Sequence, residues 1–122
     1  MLRSMNKKNF IDAAIKTKRL RKGILESIEM VKQSSRKYKT EMLYLYYANL
    51  TDCDASIAML DKHLAEYSHR NTKQDRMVIE ADARALDRIL ERQKAISALL
   101  RKEEKESLDE LEEILREMGM DI

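Results

Sequence analysis

Residues 10–49 read FIDAAIKTKRLRKGILESIEMVKQSSRKYKTEMLYLYYAN, and the fold turns on this stretch. Stepping by four and three from Phe10 gives Ala14, Thr17, Arg21, Ile24, Ile28, Val31, Ser35, Tyr38, Met42, Leu45 and Asn49. Eight of these twelve positions are apolar or aromatic, and the register does not slip. A repeat of that kind is the edge of an α-helix that packs along another helix. Read as one element, it predicts a helix over about 5–50, roughly 60 Å long at the usual rise.

The next stretch, Asn49 to Asp54, holds four residues that compete for their own backbone groups. It predicts a break, with Asp52 or Asp54 capping the helix that follows. That second helix, about 54–70, carries Ile57, Leu60, Leu64 and Tyr67 on one face. Residues 68–74 form a weaker break, and Thr72 with Asp75 has the spacing of a capping box. A third helix follows over about 75–118, its apolar positions thinning at the charged run 101–107, a candidate hinge. Gly119 suits the left-handed position that ends a helix.

The fold class expected is therefore all-α, an elongated antiparallel helical hairpin or a three-helix bundle with coiled-coil character. Three helices are preferred, because the chain after residue 54 is too long to match the first helix as a single rod. The 122 residues fit one domain. Composition agrees: no Pro, two Gly, 38% charged and only 5% aromatic residues suit thin helices with a narrow apolar edge.

Charge is distributed unevenly. Residues 1–40 carry 12 Lys and Arg against 3 Asp and Glu, while residues 103–122 carry 9 acids against 2 bases. The basic run is Lys7, Lys8, Lys16, Lys18, Arg19, Arg21 and Lys22. Its plain role is a solvated helix matched by the acidic C-terminus of the same chain or of a neighbour. Its alternative roles are contact with nucleic-acid phosphates or with an anionic membrane surface. Zinc knuckles, helix-turn-helix patterns and stacked aromatics that would read bases are missing from the sequence.

Two stretches are candidate protein interfaces. Met42, Leu43, Tyr44, Tyr46 and Tyr47 lie in a segment that is apolar or aromatic all round, either the thickest part of the core or a Tyr-rich docking patch. Leu108, Leu111, Leu115 and Met118 form an apolar edge on the acidic C-terminal helix. That helix either ends the bundle with a solvated face, docks in a partner's groove, or folds back on the basic helix as a latch.

Catalysis finds no constellation to carry it. His63 and His69 are six apart, a poor helical spacing for a shared metal, and Gly23 and Gly119 stand alone rather than in a phosphate loop. We expect no enzyme activity, cofactor or metal. The single Cys53 and the lack of an apolar signal region set the expected compartment as the reducing cytosol. The basic, amphipathic start makes the mitochondrial matrix an alternative. The function expected is a helical adaptor or assembly subunit that self-associates as a homodimer or other oligomer.

Overall fold

The computed structural model describes residues 6–67 and 71–120. Three helices account for nearly all of them: α1 (Lys7–Lys32), α2 (Lys39–Ala65) and α3 (Thr72–Glu117). α2 lies between the other two and runs antiparallel to both, with no strand among the described residues. The all-α three-helix architecture is as the periodicity predicts. The boundaries are not: the rod expected over 5–50 reverses at 33–38, and the break expected at 49–54 lies inside α2.

Local chemistry explains both differences. α1 ends where Ser34 Oγ donates to the Val31 carbonyl at 2.7 Å and its N–H turns back to the same oxygen at 3.1 Å. Lys39 Nζ reaches back to the Lys32 and Ser34 carbonyls, satisfying acceptors left open at the helix end. Residues 49–54 remain helical because each polar side chain finds a partner from within a helix. Thr51 donates to the Tyr47 carbonyl one turn back, Asn49 to the Ile89 carbonyl, while Asp52 meets Arg88 and Asp54 meets Arg21.

The helix ends are well made. Asn6 and Asn9 form a reciprocal capping box at α1. Asn71, not Thr72, caps α3 by accepting from the Gln74 N–H at 3.1 Å. At the other end Gly119 has φ +80°, with Gly119 N–H bonded to Arg116 O and Met120 N–H to Leu115 O, a Schellman motif. The charged run 101–107 does not break: it is continuous helix.

Each helix buries a heptad edge. On α1 it is Phe10, Ala14, Thr17, Ile24, Ile28 and Val31, as the spacing predicts. On α2 it is Met42, Tyr46, Asn49, Cys53, Ser56, Leu60 and His63, in unbroken steps of four and three. On α3 it is Asp75, Val78, Asp82, Ala85, Ile89 and Ile96. One apolar cluster joins Ile24, Ile28, Met42, Tyr46, Ile89 and Ile96 near the α1–α2 turn. A second gathers Phe10, Ala14, Leu60 and Val78 at the opposite end.

Candidate interaction surfaces

Heptad steps along α2 meet equal steps back along α3, and three of the rungs between them are polar. The His63 ring nitrogen Nε2 lies 2.7 Å from Asp75 Oδ1, Ser56 Oγ donates to Asp82 Oδ1, and Asn49 Nδ2 donates to the Ile89 carbonyl at 3.4 Å. All of these side chains are buried. Sliding α3 by one heptad would set Asp82 against His63 and carry Asp75 past it, so the rungs specify register as buried polar groups do in coiled coils. His63 is also seated edge-on against Phe10, with ring centroids 4.5 Å apart. It serves the core. His69 lies outside the described residues, and no group of three or more acidic, His or Cys residues placed to hold a metal occurs among those described.

Cys53 is fully buried, and burial pushes its thiol above the ordinary value, opposite to what a reactive thiolate needs. Asp52, largely buried, sits between two guanidinium groups, with Arg88 Nη2 at 3.0 Å and Arg92 Nη1 on its second oxygen. Burial alone would raise its pKa, but the hydrogen bonds from Arg88 and Arg92 win and hold the carboxyl below its usual range. Its contribution to stability is therefore present at neutral pH, and is lost as pH falls through that lowered value.

The α1–α2 turn grips α3 at the level of residues 103–106. The Lys37 N–H donates to Glu103 Oε1 at 3.2 Å, and Arg36 Nη1 lies 3.6 Å from Glu103 Oε2. Tyr38 Oη donates to Glu106 Oε1 at 2.6 Å, and Lys37 Nζ pairs with the other Glu106 oxygen. Those two hydrogen bonds hold the Glu106 carboxyl below its usual range, and Glu106 in turn raises Lys37. A lowered acid and a raised base keep the clamp charged on both sides across neutral pH.

Beyond the clamp α3 continues alone. Its last eleven residues, 107–117, extend roughly 17 Å past the bundle. Leu108, Leu111, Ile114 and Met118 are each at least half exposed there, and Leu115 is only partly covered. The four C-terminal residues expected as an interface thus share one edge of an isolated helix. The aromatic segment divides instead. Met42 and Tyr46 are core, because α2 is flanked by helices on two sides, which corrects their assignment to a contact surface. Leu43 is half-buried against the core, whereas Tyr44 is 75% exposed and Tyr47 lies beneath the Lys32 ammonium at 5.8 Å.

The basic run also divides. Lys18 pairs with Asp61 at 3.3 Å and Arg21 with Asp54 at 2.5 Å, both bridging α1 to α2. Lys7, Lys8, Lys16, Arg19 and Lys22 are exposed and make no ion pair among the described residues. They flank Ile11 and Ile15, themselves 40% and 42% exposed. Phe10 shares a cluster with Val78, so this basic end of the bundle lies about 50 Å along α3 from Leu111. With α3 unbroken, the acidic helix does not reach the basic one, and the intramolecular latch is excluded.

The fold and its surfaces define an all-α three-helix bundle whose last helix outreaches the other two. No helix among the described residues is long and apolar enough to cross a membrane. Compared with protein-family models, curated proteins and solved structures, the chain has no significant match in any of the three.

Proposed function

We propose that the chain is a non-enzymatic helical adaptor or assembly subunit, and that it acts by laying the overhanging end of α3 against another helical surface. One observation carries this: Leu108, Leu111, Ile114, Leu115 and Met118 sit on a stretch of helix that no other element among the described residues covers. Apolar residues at helical spacing on an acidic helix are the pattern of a segment that docks in a groove. Leaving such an edge bare in water forgoes about 25 cal/mol for each Å² that a partner would cover. The capped end at Gly119 and the clamp at Glu106 hold the overhang helical before it binds, which lowers the ordering cost of association.

A second reading places nucleic-acid phosphates or an anionic bilayer on the five Lys and Arg of α1 that are exposed and make no ion pair among the described residues. It ranks second because the Ile11–Ile15 pair among them matches a helix edge, and a complementary acidic edge exists on the same chain.

The test is the size of the complex that the tagged full-length chain forms in extracts of its native cells. The wild type is expected well above the 14.4 kDa of a single chain. A variant carrying Leu111→Gln and Leu115→Gln is expected to keep wild-type helicity and fall to the size of the free chain. Unchanged complexes from a folded variant would rule the overhang out as the contact.

A further inference from the structure

We infer that the occupant of the α3 overhang is a second copy of this chain, and that the overhang of one copy lies on the basic outer edge of α1 in the next. This rests on the reading of the overhang as a contact face, and adds the partner.

Two edges left exposed among the described residues have matching patterns. On α1, Lys8, Ile11, Ile15, Lys18, Lys22 and Leu25 recur in steps of three and four, and all are exposed, with Lys18 alone among them already paired, to Asp61. They form an outer edge distinct from the buried one: two isoleucines with lysines before and after them. On the overhang, Leu108, Leu111, Leu115 and Met118 recur in the same steps. There Glu104 continues the apolar edge at its N-terminal end and Glu112 flanks it, on a helix whose other faces are also acidic. Pairing the edges would cover Ile11 and Ile15 with Leu111 and Leu115, and bring Lys8 or Lys22, according to the relative direction of the helices, to the Glu104 end of the overhang edge.

Within one molecule the pairing is barred, because α3 is one continuous helix that carries the overhang beyond the end of α1, with Leu111 about 50 Å along it from the level of Phe10. Between molecules nothing bars it. A second overhang would be a poor partner for the first, since each brings five acids and one base over residues 107–117. The contact therefore joins unlike surfaces. Every copy carries one of each, so the association is heterologous.

That asymmetry gives the test. Purified full-length protein is followed by sedimentation equilibrium from about 1 µM to about 500 µM, a range covering ordinary weak to moderate affinities. The wild type is expected to gain mass with concentration, and to lose association as salt rises from about 50 mM to about 500 mM. A head variant, Ile15→Gln with Lys22→Glu, and a tail variant, Leu111→Gln with Leu115→Gln, are each expected to sediment at 14.4 kDa. Mixed in equal amounts they are expected to give a 1:1 complex of twice that mass, since one retains a working tail and the other a working head.

None of the four positions belongs to the buried edges, and circular dichroism checks that each variant is folded. Zero-length carbodiimide coupling on the wild type, half of it isotopically labelled, supplies a readout without substitution. Peptides joining Lys8 or Lys22 of one label to Glu104 or Glu112 of the other are expected. Self-association of the head variant alone, a mixture that stays monomeric, or a monomeric wild type would each overturn the inference. A monomeric purified wild type beside an overhang-dependent complex in cells would replace the second copy with another partner. Cellular complexes indifferent to the overhang would remove the contact face itself.

Discussion

Phe10→Ala is expected to cost about 3–5 kcal/mol, the largest effect of any single substitution proposed for this chain. The ring is fully buried in the first turn of α1, against the edges of His63 and Tyr67 and within the cluster of Ala14, Leu60 and Val78. Few other residues hold that end of α1 to α2, because Thr17 and Ala14 bring little apolar area. Against a total stability of about 5–15 kcal/mol, such a loss leaves a marginal fold. Urea unfolding followed by circular dichroism is the measurement, with a lower midpoint and an unchanged slope expected. A loss below about 1 kcal/mol would mean that the first turns of α1 are not docked.

The second large effect lies in the polar rungs. Ser56→Val is expected to cost about 2–3 kcal/mol, because the Asp82 carboxylate stays buried and loses the hydroxyl that donates to it. Adding Asp82→Leu to the Ser56→Val chain removes both halves of the rung. That double variant is expected to return to within about 1 kcal/mol of the wild type, or to exceed it, since a well-packed apolar pair needs no compensating hydrogen bond. A double-mutant cycle on unfolding free energies checks this. If the double variant is no more stable than Ser56→Val, the rung does not couple the two helices.

The register role of these rungs is separable from their energy. Asn49, Ser56 and His63 repeat every seven residues on α2, facing Ile89, Asp82 and Asp75 on α3. A wholly apolar edge would leave α3 free to slide by a heptad, and a slide would bury or withdraw the overhang. Stability given up along the α2–α3 edge thus fixes how far α3 projects beyond the clamp at Glu106.

Much of this was legible in the sequence, and the failures are instructive. The heptad from Phe10 to Val31 names the buried edge of α1, with Arg21 as its exception because it turns to Asp54. The same repeat continues in phase through Ser35 and Tyr38 to Met42, and so conceals a reversal of the chain. Periodicity records which face is apolar and says nothing of direction. Here the turn contains neither Pro nor Gly, and only Ser34 and Ser35 mark it. Conversely, Asn49 to Asp54 resembles a break because its residues favour turns in isolation. Partners on α1 and α3, invisible to local propensity, keep it helical.

The apolar edge of the C-terminal helix was legible because nothing competes for it. The charged run 101–107 was misleading for the opposite reason: its acids look solvated, yet Glu103 and Glu106 are the handles by which the turn holds α3. The polar heptad on α2 had a usable signature in the spacing of Asn49, Ser56 and His63. It passes unnoticed when polar residues are scored only as interruptions of an apolar edge.

The central claim is that residues 107–118 form a helix left uncovered by its own bundle and covered by a partner. Amide hydrogen exchange of that segment, measured on the purified full-length chain at rising concentration, tests it most directly. Rapid exchange is expected in dilute solution, where the overhang stands alone, and slowing that tracks the rise in mass, with α2 unchanged throughout. Strong protection at every concentration, down to a monomer, would contradict it, because the segment would then be covered from within its own chain.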